Sequence, residues 1–347
     1  MRILCIDCEG PITLNDNAFE ICQHFLPRGD NFFRTISSYD DYLADVIKKK
    51  GYAAGGTLRL ITPFFKAYGL TGEKIRTFSR KTLRLVPGAK DMLEKLKSCM
   101  KVFVVSTSYT PYIQALCKLL NFPLENTFST FLDLDSFPLP EKEREKLIYF
   151  YQRINSLHLP PPAGKKDISF EERKTIRELD EIFFKKIPLM RCGAIMDKVI
   201  PVGGKEKENA VKKILYKVKA KPQDTIYVGD SITDARALRF LREKGGISLS
   251  FNGNIYALRE AEFALISSHS YALFLIVKKF NEKGKDALSE IASSWPQILD
   301  REEREKLNSL APGSIFARIN ADSLSSLLRM SEGMRKKLRG EKIGALG

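Results

Sequence analysis

Three short runs of strand-favouring apolar residues constrain this chain most, because each stops abruptly at small or polar residues. They are Ile3 to Ile6 before Asp7, Val102 to Val105 before Ser106, and Thr225 to Val228 before Gly229-Asp230. A fourth, Ile247 to Phe251, ends in Asn252-Gly253-Asn254, which reads as a turn. Val/Ile/Phe runs without polar alternation suit strands covered on both faces. Helical patterns separate them: Gly88 to Ser98, Pro111 to Leu120, Glu206 to Val218 and Asp234 to Glu243. Strands alternating with helices predict an α/β fold with an open parallel sheet.

Two long insertions interrupt that sheet. The 347 residues exceed one typical domain of roughly 100–200 residues. The expected core is 1–12 with 86–135 and 194–275. Residues 13–85 form a helical insertion directly after the first strand, with helical segments at Ala18 to Phe25 and Tyr39 to Lys50. Residues 136–193 form a second, mainly helical insertion. It opens with a charged helix from Glu141 to Asn155, breaks at Leu159-Pro160-Pro161-Pro162-Ala163-Gly164, and resumes from Glu171 to Phe184. A triple proline makes a stiff extended linker or turn. Residues 276–347 read as a helical tail. No internal repeat is present.

No apolar stretch reaches the roughly 18–20 residues a membrane span needs. The best, Tyr271 to Val277, runs into Lys278 and Lys279. The N-terminus enters a strand at once, without the apolar core of a signal peptide. Six cysteines are scattered, and although Cys5 and Cys8 form a CxxC string, Cys5 sits inside the first strand. They read as reduced core residues, and the expected compartment is cytoplasmic. The net charge of +15 fits an anionic partner but equally a solvated surface.

In an open α/β sheet, ligands bind beyond the carboxyl ends of the strands. Those ends carry Asp7-Cys8-Glu9-Gly10, Ser106-Thr107-Ser108 and Gly229-Asp230-Ser231-Ile232-Thr233-Asp234, with the lysine-bearing helix start Gly203-Gly204-Lys205-Glu206-Lys207 between the last two. Acids, hydroxyls and an ammonium would thus meet at one edge. That set suits phosphoryl transfer: a carboxylate attacks phosphorus, and a cation with a lysine offsets the charge. Mg²⁺ favours such hard oxygen ligands.

At these residues the sequence resembles the haloacid-dehalogenase superfamily, whose four motifs appear in order. The strand-end segments also look like an archaeal branch of predicted hydrolases, some of which carry the label of an energy-converting hydrogenase A subunit R. The resemblance implies a Rossmann-like core with a helical cap after the first strand. It implies Asp7 as nucleophile and metal ligand and Asp230 as a second carboxylate ligand of Mg²⁺. Glu9 would offer its backbone carbonyl to the metal and its side chain as acid and base. Ser106, Thr107 and Lys207 would bind phosphoryl oxygens, and Asp234 would anchor metal waters or the lysine. Lys207 is preferred to Lys205 because the family helix tends to read Lys-x-x-Ala, matched here by Ala210. The family's phosphatases usually carry Asp at the position of Glu9, which reaches about one methylene further.

Asp16 has the spacing at which phosphoserine phosphatases of this superfamily place a substrate-contacting carboxylate, yet Asn15 or Asp16 is equally an N-cap. Arg34 and Tyr39 either face a substrate or pack. His24, His158 and His269 have no spacing suited to a metal or triad. The basic Met334 to Arg339 segment reads as docking on the protein's own surface or on a protein partner, as the second insertion also could. Nucleic acid is not expected, since binding needs denser basic character with aromatics. The expected function is a Mg²⁺-dependent phosphomonoesterase acting on a small phosphorylated metabolite. The rivals are a non-catalytic subunit of a larger complex such as an energy-converting hydrogenase, and a mutase-like phosphotransferase.

Overall fold

The computed structural model describes residues 2–162, 167–344 and 346; the Ala163-Gly164 end of the proline break lies outside them. Seven strands form one sheet: β1 (Ile3–Ile6), β2 (Lys101–Tyr109), β3 (Thr127–Thr130), β4 (Thr225–Gly229), β5 (Ile247–Phe251), β6 (Phe263–Ile266) and β7 (Ile315–Arg318). Their order is β3-β2-β1-β4-β5-β6-β7. All neighbours pair in parallel except β7, which lies antiparallel to β6. Every residue of β1, β4 and β5 is buried, as unbroken apolar runs require when helices cover both faces.

The helices that position the site are α1 (Asn17–Phe25), α2 (Gly29–Asp41), α3 (Ala89–Cys99), α4 (Thr110–Leu120), α5 (Glu141–Ser156), α6 (Phe170–Asp180), α7 (Lys205–Val218), α8 (Ala235–Glu243), α9 (Ser270–Lys283) and α10 (Ala321–Gly344), the last kinked at Gly340. On one sheet face, α3, α4 and α9 bury Leu93, Leu96, Ile113, Leu116, Leu273 and Ile276. On the other, α7 and α8 bury Val211, Ile214, Leu238 and Leu241. The apolar stretch around Tyr271 to Val277 is therefore a core helix. Among the described residues no helix is long and apolar enough to cross a membrane.

The two insertions build one shared core. Phe32 and Phe64 from the first pack with Tyr151 and Phe183 from the second, with ring centroids 4.5 Å apart for Phe32–Tyr151 and 6.1 Å for Phe64–Phe183. Polar bonds cross the same seam: Tyr39 Oη donates to Asp180 Oδ1 at 2.6 Å, and Tyr42 Oη to Glu172 Oε1 at 2.7 Å. Helix α6 begins in a capping box between Ser169 and Glu172, so Glu172 both starts its helix and faces Tyr42. The residues after 276 are not helical throughout, because β7 completes the sheet edge and packs Phe316 on Phe263 at 5.3 Å.

Candidate active site

From β1 the chain crosses to β2 on one side, while β4 pairs on the other, so the sheet's switch point lies at β1 and β4. Crevices outside the carboxyl ends at such a point hold ligands. Asp7 follows β1, Asp230 follows β4, and the Asp7 N–H donates to Val228 O at 2.9 Å, joining the two strand ends.

Lys207 reaches this edge from α7. It lies on the buried stripe Lys207, Ala210, Val211 and Ile214, the spacing of a helix's core face, whereas Lys205 is exposed. Its ammonium is fully buried, 2.7 Å from Asp7 Oδ2 and 2.7 Å from Asp234 Oδ1. Asp234 Oδ1 also accepts from Tyr227 Oη at 2.6 Å, and its Oδ2 from the N–H groups of Asp230 and Ser231 at 3.1 Å. Burial opposes the charged ammonium, but Asp234 and Asp7 outweigh it and hold Lys207 above its ordinary value. Against the same burial, Lys207 and Tyr227 hold the Asp234 carboxyl below the usual carboxylate range. Burial, with Asp234 adding, pushes Asp7 up despite the pull of Lys207.

One carboxylate oxygen from each of Asp7, Asp230 and Asp234 lies within 4.8 Å of the others, and all three residues are buried. Lys207 offsets part of the repulsion among these buried carboxylates, and a hard-oxygen set of this kind fits Mg²⁺. Asp7 and Asp230 line the cavity at the strand ends, whereas Asp234 is turned to Lys207 and Tyr227, so Asp7 and Asp230 are the residues that would hold such an ion directly. Asp234 holds the lysine.

Glu9 lines the same cavity, with Oε1 accepting from the Asn17 N–H at 2.7 Å at the start of α1. Burial, then Asp16, push its carboxyl up against the opposing Asn17 N–H and Arg339. Asp16 caps α1 by accepting from the Phe19 N–H at 2.9 Å and lines the cavity as well. Thr107 lines it, its Oγ1 donating to Val202 O at 3.0 Å. Ser106 is buried and is not among the residues lining the cavity, its Oγ 3.1 Å from Ser108 Oγ. Arg34 does not line this cavity but lines the larger one beside it, its guanidinium donating to Lys342 O at 3.1 Å and lying over the Phe19 ring. Cys5 and Cys8 are free and buried, and burial pushes both thiols up.

The sequence reading missed Arg335 and Arg339. Both line the cavity and pair with Asp230, Arg339 at 3.1 Å. The tail does dock on the protein's own surface, and the surface it docks on is this site. The available signal was the i, i+4 series Ser331, Arg335, Arg339 on one helix face. The cavity holds about 100 Å³. A larger one of about 790 Å³ adjoins it and shares Ser37, Asp41, Arg335 and Leu346 as lining.

Fold and site thus define an α/β protein with a buried Asp–Lys–Asp cluster at the switch point of its sheet. Over its whole length it is similar to the gene product AF1437 from Archaeoglobus fulgidus, with 29% identity, a TM-score of 0.84, and coverage of 100% of this chain and 99% of that one. Weaker likenesses are a phospho-aspartyl intermediate analogue of phosphoserine phosphatase (15% identity, 76% of this chain, 91% of that chain, TM-score 0.44) and a haloacid-dehalogenase family hydrolase from Salmonella enterica (11%, 73%, 62%, 0.43). No family model matches the chain, and no curated protein does.

Proposed function

We propose that this protein is a Mg²⁺-dependent phosphomonoesterase of the haloacid-dehalogenase type, working through an aspartyl-phosphate at Asp7 on a small phosphorylated metabolite. The observation that carries the reading is the Lys207 ammonium held 2.7 Å from Asp7 at the sheet's switch point, with Asp230 beside it. An Asp7 carboxylate oxygen attacks phosphorus, and the ester oxygen leaves with a proton from Glu9. Water, deprotonated by Glu9, then cleaves the acyl phosphate and frees Asp7. Lys207 offsets the charge that builds on Asp7 and the phosphoryl oxygens. Asp7 and Asp230 would hold a Mg²⁺, which would add to that neutralisation when bound.

The adjoining cavity of about 790 Å³ is of small-molecule size and would receive the leaving group. The test is Mg²⁺-dependent hydrolysis of p-nitrophenyl phosphate and of a metabolite panel by wild type and Asp7→Asn. Activity is expected in the wild type and absent in the variant. Equal hydrolysis by both, after contaminant controls, removes Asp7 as nucleophile.

A further inference from the structure

Asp230 is gripped from a part of the chain that joins the site only through the fold. Helix α10 places Arg335 and Arg339 one turn apart on the face that also carries Ser331, whose Oγ donates to Gly253 O at 2.6 Å. Arg335 Nη1 donates to Asp230 O at 3.1 Å and to its Oδ2, and Arg339 Nη1 donates to the same Oδ2 at 3.1 Å. Two guanidinium groups therefore converge on one carboxylate oxygen, and neither bonds Oδ1. Gly10 closes the other side, since a Cβ there would stand 2.2 Å from Oδ2.

The other guanidinium nitrogens bond the protein itself. Arg335 Nε and Nη2 donate to Gly344 O at 3.2 Å and Leu346 O at 3.0 Å. Arg339 Nε and Nη2 donate to Leu14 O at 3.2 Å and Asn15 O at 2.6 Å. A guanidinium is a rigid fork, so acceptors on Nε and both Nη atoms fix its plane. These side chains are set to hold a carboxylate rather than to grip a substrate. They also bring positive charge to a cavity edged by Asp7, Glu9, Asp16 and Asp230.

We propose that Arg335 and Arg339 are positioning residues for Asp230, orienting its carboxylate for a divalent cation, so that the C-terminal helix is part of the site. This rests on the reading above only in requiring a cation at Asp7 and Asp230. Partners that orient a metal ligand typically contribute about 10–100-fold to metal affinity. The probe is Mn²⁺, titrated by calorimetry and by its EPR signal into the full chain. Wild type, Arg335→Ala, Arg339→Ala, Arg335→Lys and the exposed-site control Lys336→Ala are compared, each checked for folding by circular dichroism and melting.

The expected result is Mn²⁺ affinity weakened about 10–100-fold in both alanine variants, less in Arg335→Lys, and unchanged in Lys336→Ala. Affinity within twofold of wild type in the folded alanine variants overturns the proposal. So does tighter binding, which would mean that the arginines compete with the cation, and so does a wild type that binds no Mn²⁺. Should Arg335→Ala not fold, Arg335→Lys and Arg339→Lys carry the same comparison. A wild type without phosphatase activity whose Mn²⁺ affinity still falls in the variants sinks the phosphatase reading and supports this one.

Discussion

The α-carbon of Gly10 packs against the carboxylate of Asp230 with no space for a side chain, a Cβ at Gly10 standing 2.2 Å from Oδ2 and 3.1 Å from Oδ1. Gly10 also has φ +101°, a conformation that L side chains rarely adopt. Gly10→Ala must therefore strain the turn after β1 and push Asp230 off Arg335 and Arg339. Strain of this kind costs about 1–3 kcal/mol. The expected outcome is a lowered Tm together with loss of Mn²⁺ binding. An alanine variant that binds Mn²⁺ like the wild type would show that Asp230 moves at no cost.

Lys207 is a fully buried charge held between Asp7 and Asp234. Removing one partner of a buried ion pair leaves the others uncompensated and typically costs about 3–5 kcal/mol. Lys207→Met is expected to lose stability on that scale in urea denaturation and to lose phosphatase activity. Lys205→Ala, at an exposed site two residues earlier, is expected to stay within about 0.5 kcal/mol of wild type. Comparable losses in the two variants would remove the distinction between them.

Asp41, at the end of α2, is buried and lines both cavities, and among the described residues no donor meets its carboxylate. Burial, then Asp40 and Asp45, push its carboxyl well above the ordinary range. Its contribution to stability is full below the unfolded-state pKa, about 3.9. It is lost as pH rises through the folded value, because folding then requires an ionised carboxylate to stay buried. Asp41→Asn keeps the shape without that charge. Its Tm should exceed the wild-type Tm at pH 7–8, with the difference shrinking toward pH 4. A constant difference across that range would mean that Asp41 is not ionising in place.

How much of this was legible beforehand follows from the reach of each signal. Strands β1, β2, β4 and β5 announce themselves because burial on both faces forces unbroken apolar runs, and the polar residues that end them mark the switch-point edge. Asp7, Asp230 and Asp234 follow from that edge. Lys207 could be read a second way, as the lysine that shares a stripe with Ala210, Val211 and Ile214. Strand β7 could not, since four residues of Ile-Phe-Ala-Arg become a strand only by pairing with β6. Arg335 and Arg339 look like a solvated helix face in isolation. Only the return of α10 across the carboxyl edge of the sheet buries them, 105 and 109 positions from Asp230. The β2 and β3 segment that separates the two insertions in sequence likewise hides that they form one core.

That shared core gives the last expectation. Phe183 belongs to the second insertion and is fully buried, its ring 5.9 Å from Tyr39 and 6.1 Å from Phe64, both in the first. Truncating a buried phenylalanine costs about 3–5 kcal/mol, because the deletion leaves a cavity and strips apolar packing from its neighbours. In Phe183→Ala the effect should appear on both sides of the seam. Hydrogen exchange should speed up in α2, where Tyr39 lies, and in α6, while β1 and β4 keep their protection, because the sheet's own clusters do not include Phe183. Loosening of α2 would widen the cavity at Ser37 and Asp41, so KM for any substrate should rise more than kcat falls. Faster exchange confined to residues 136–193 would mean that the two insertions fold independently despite their shared packing.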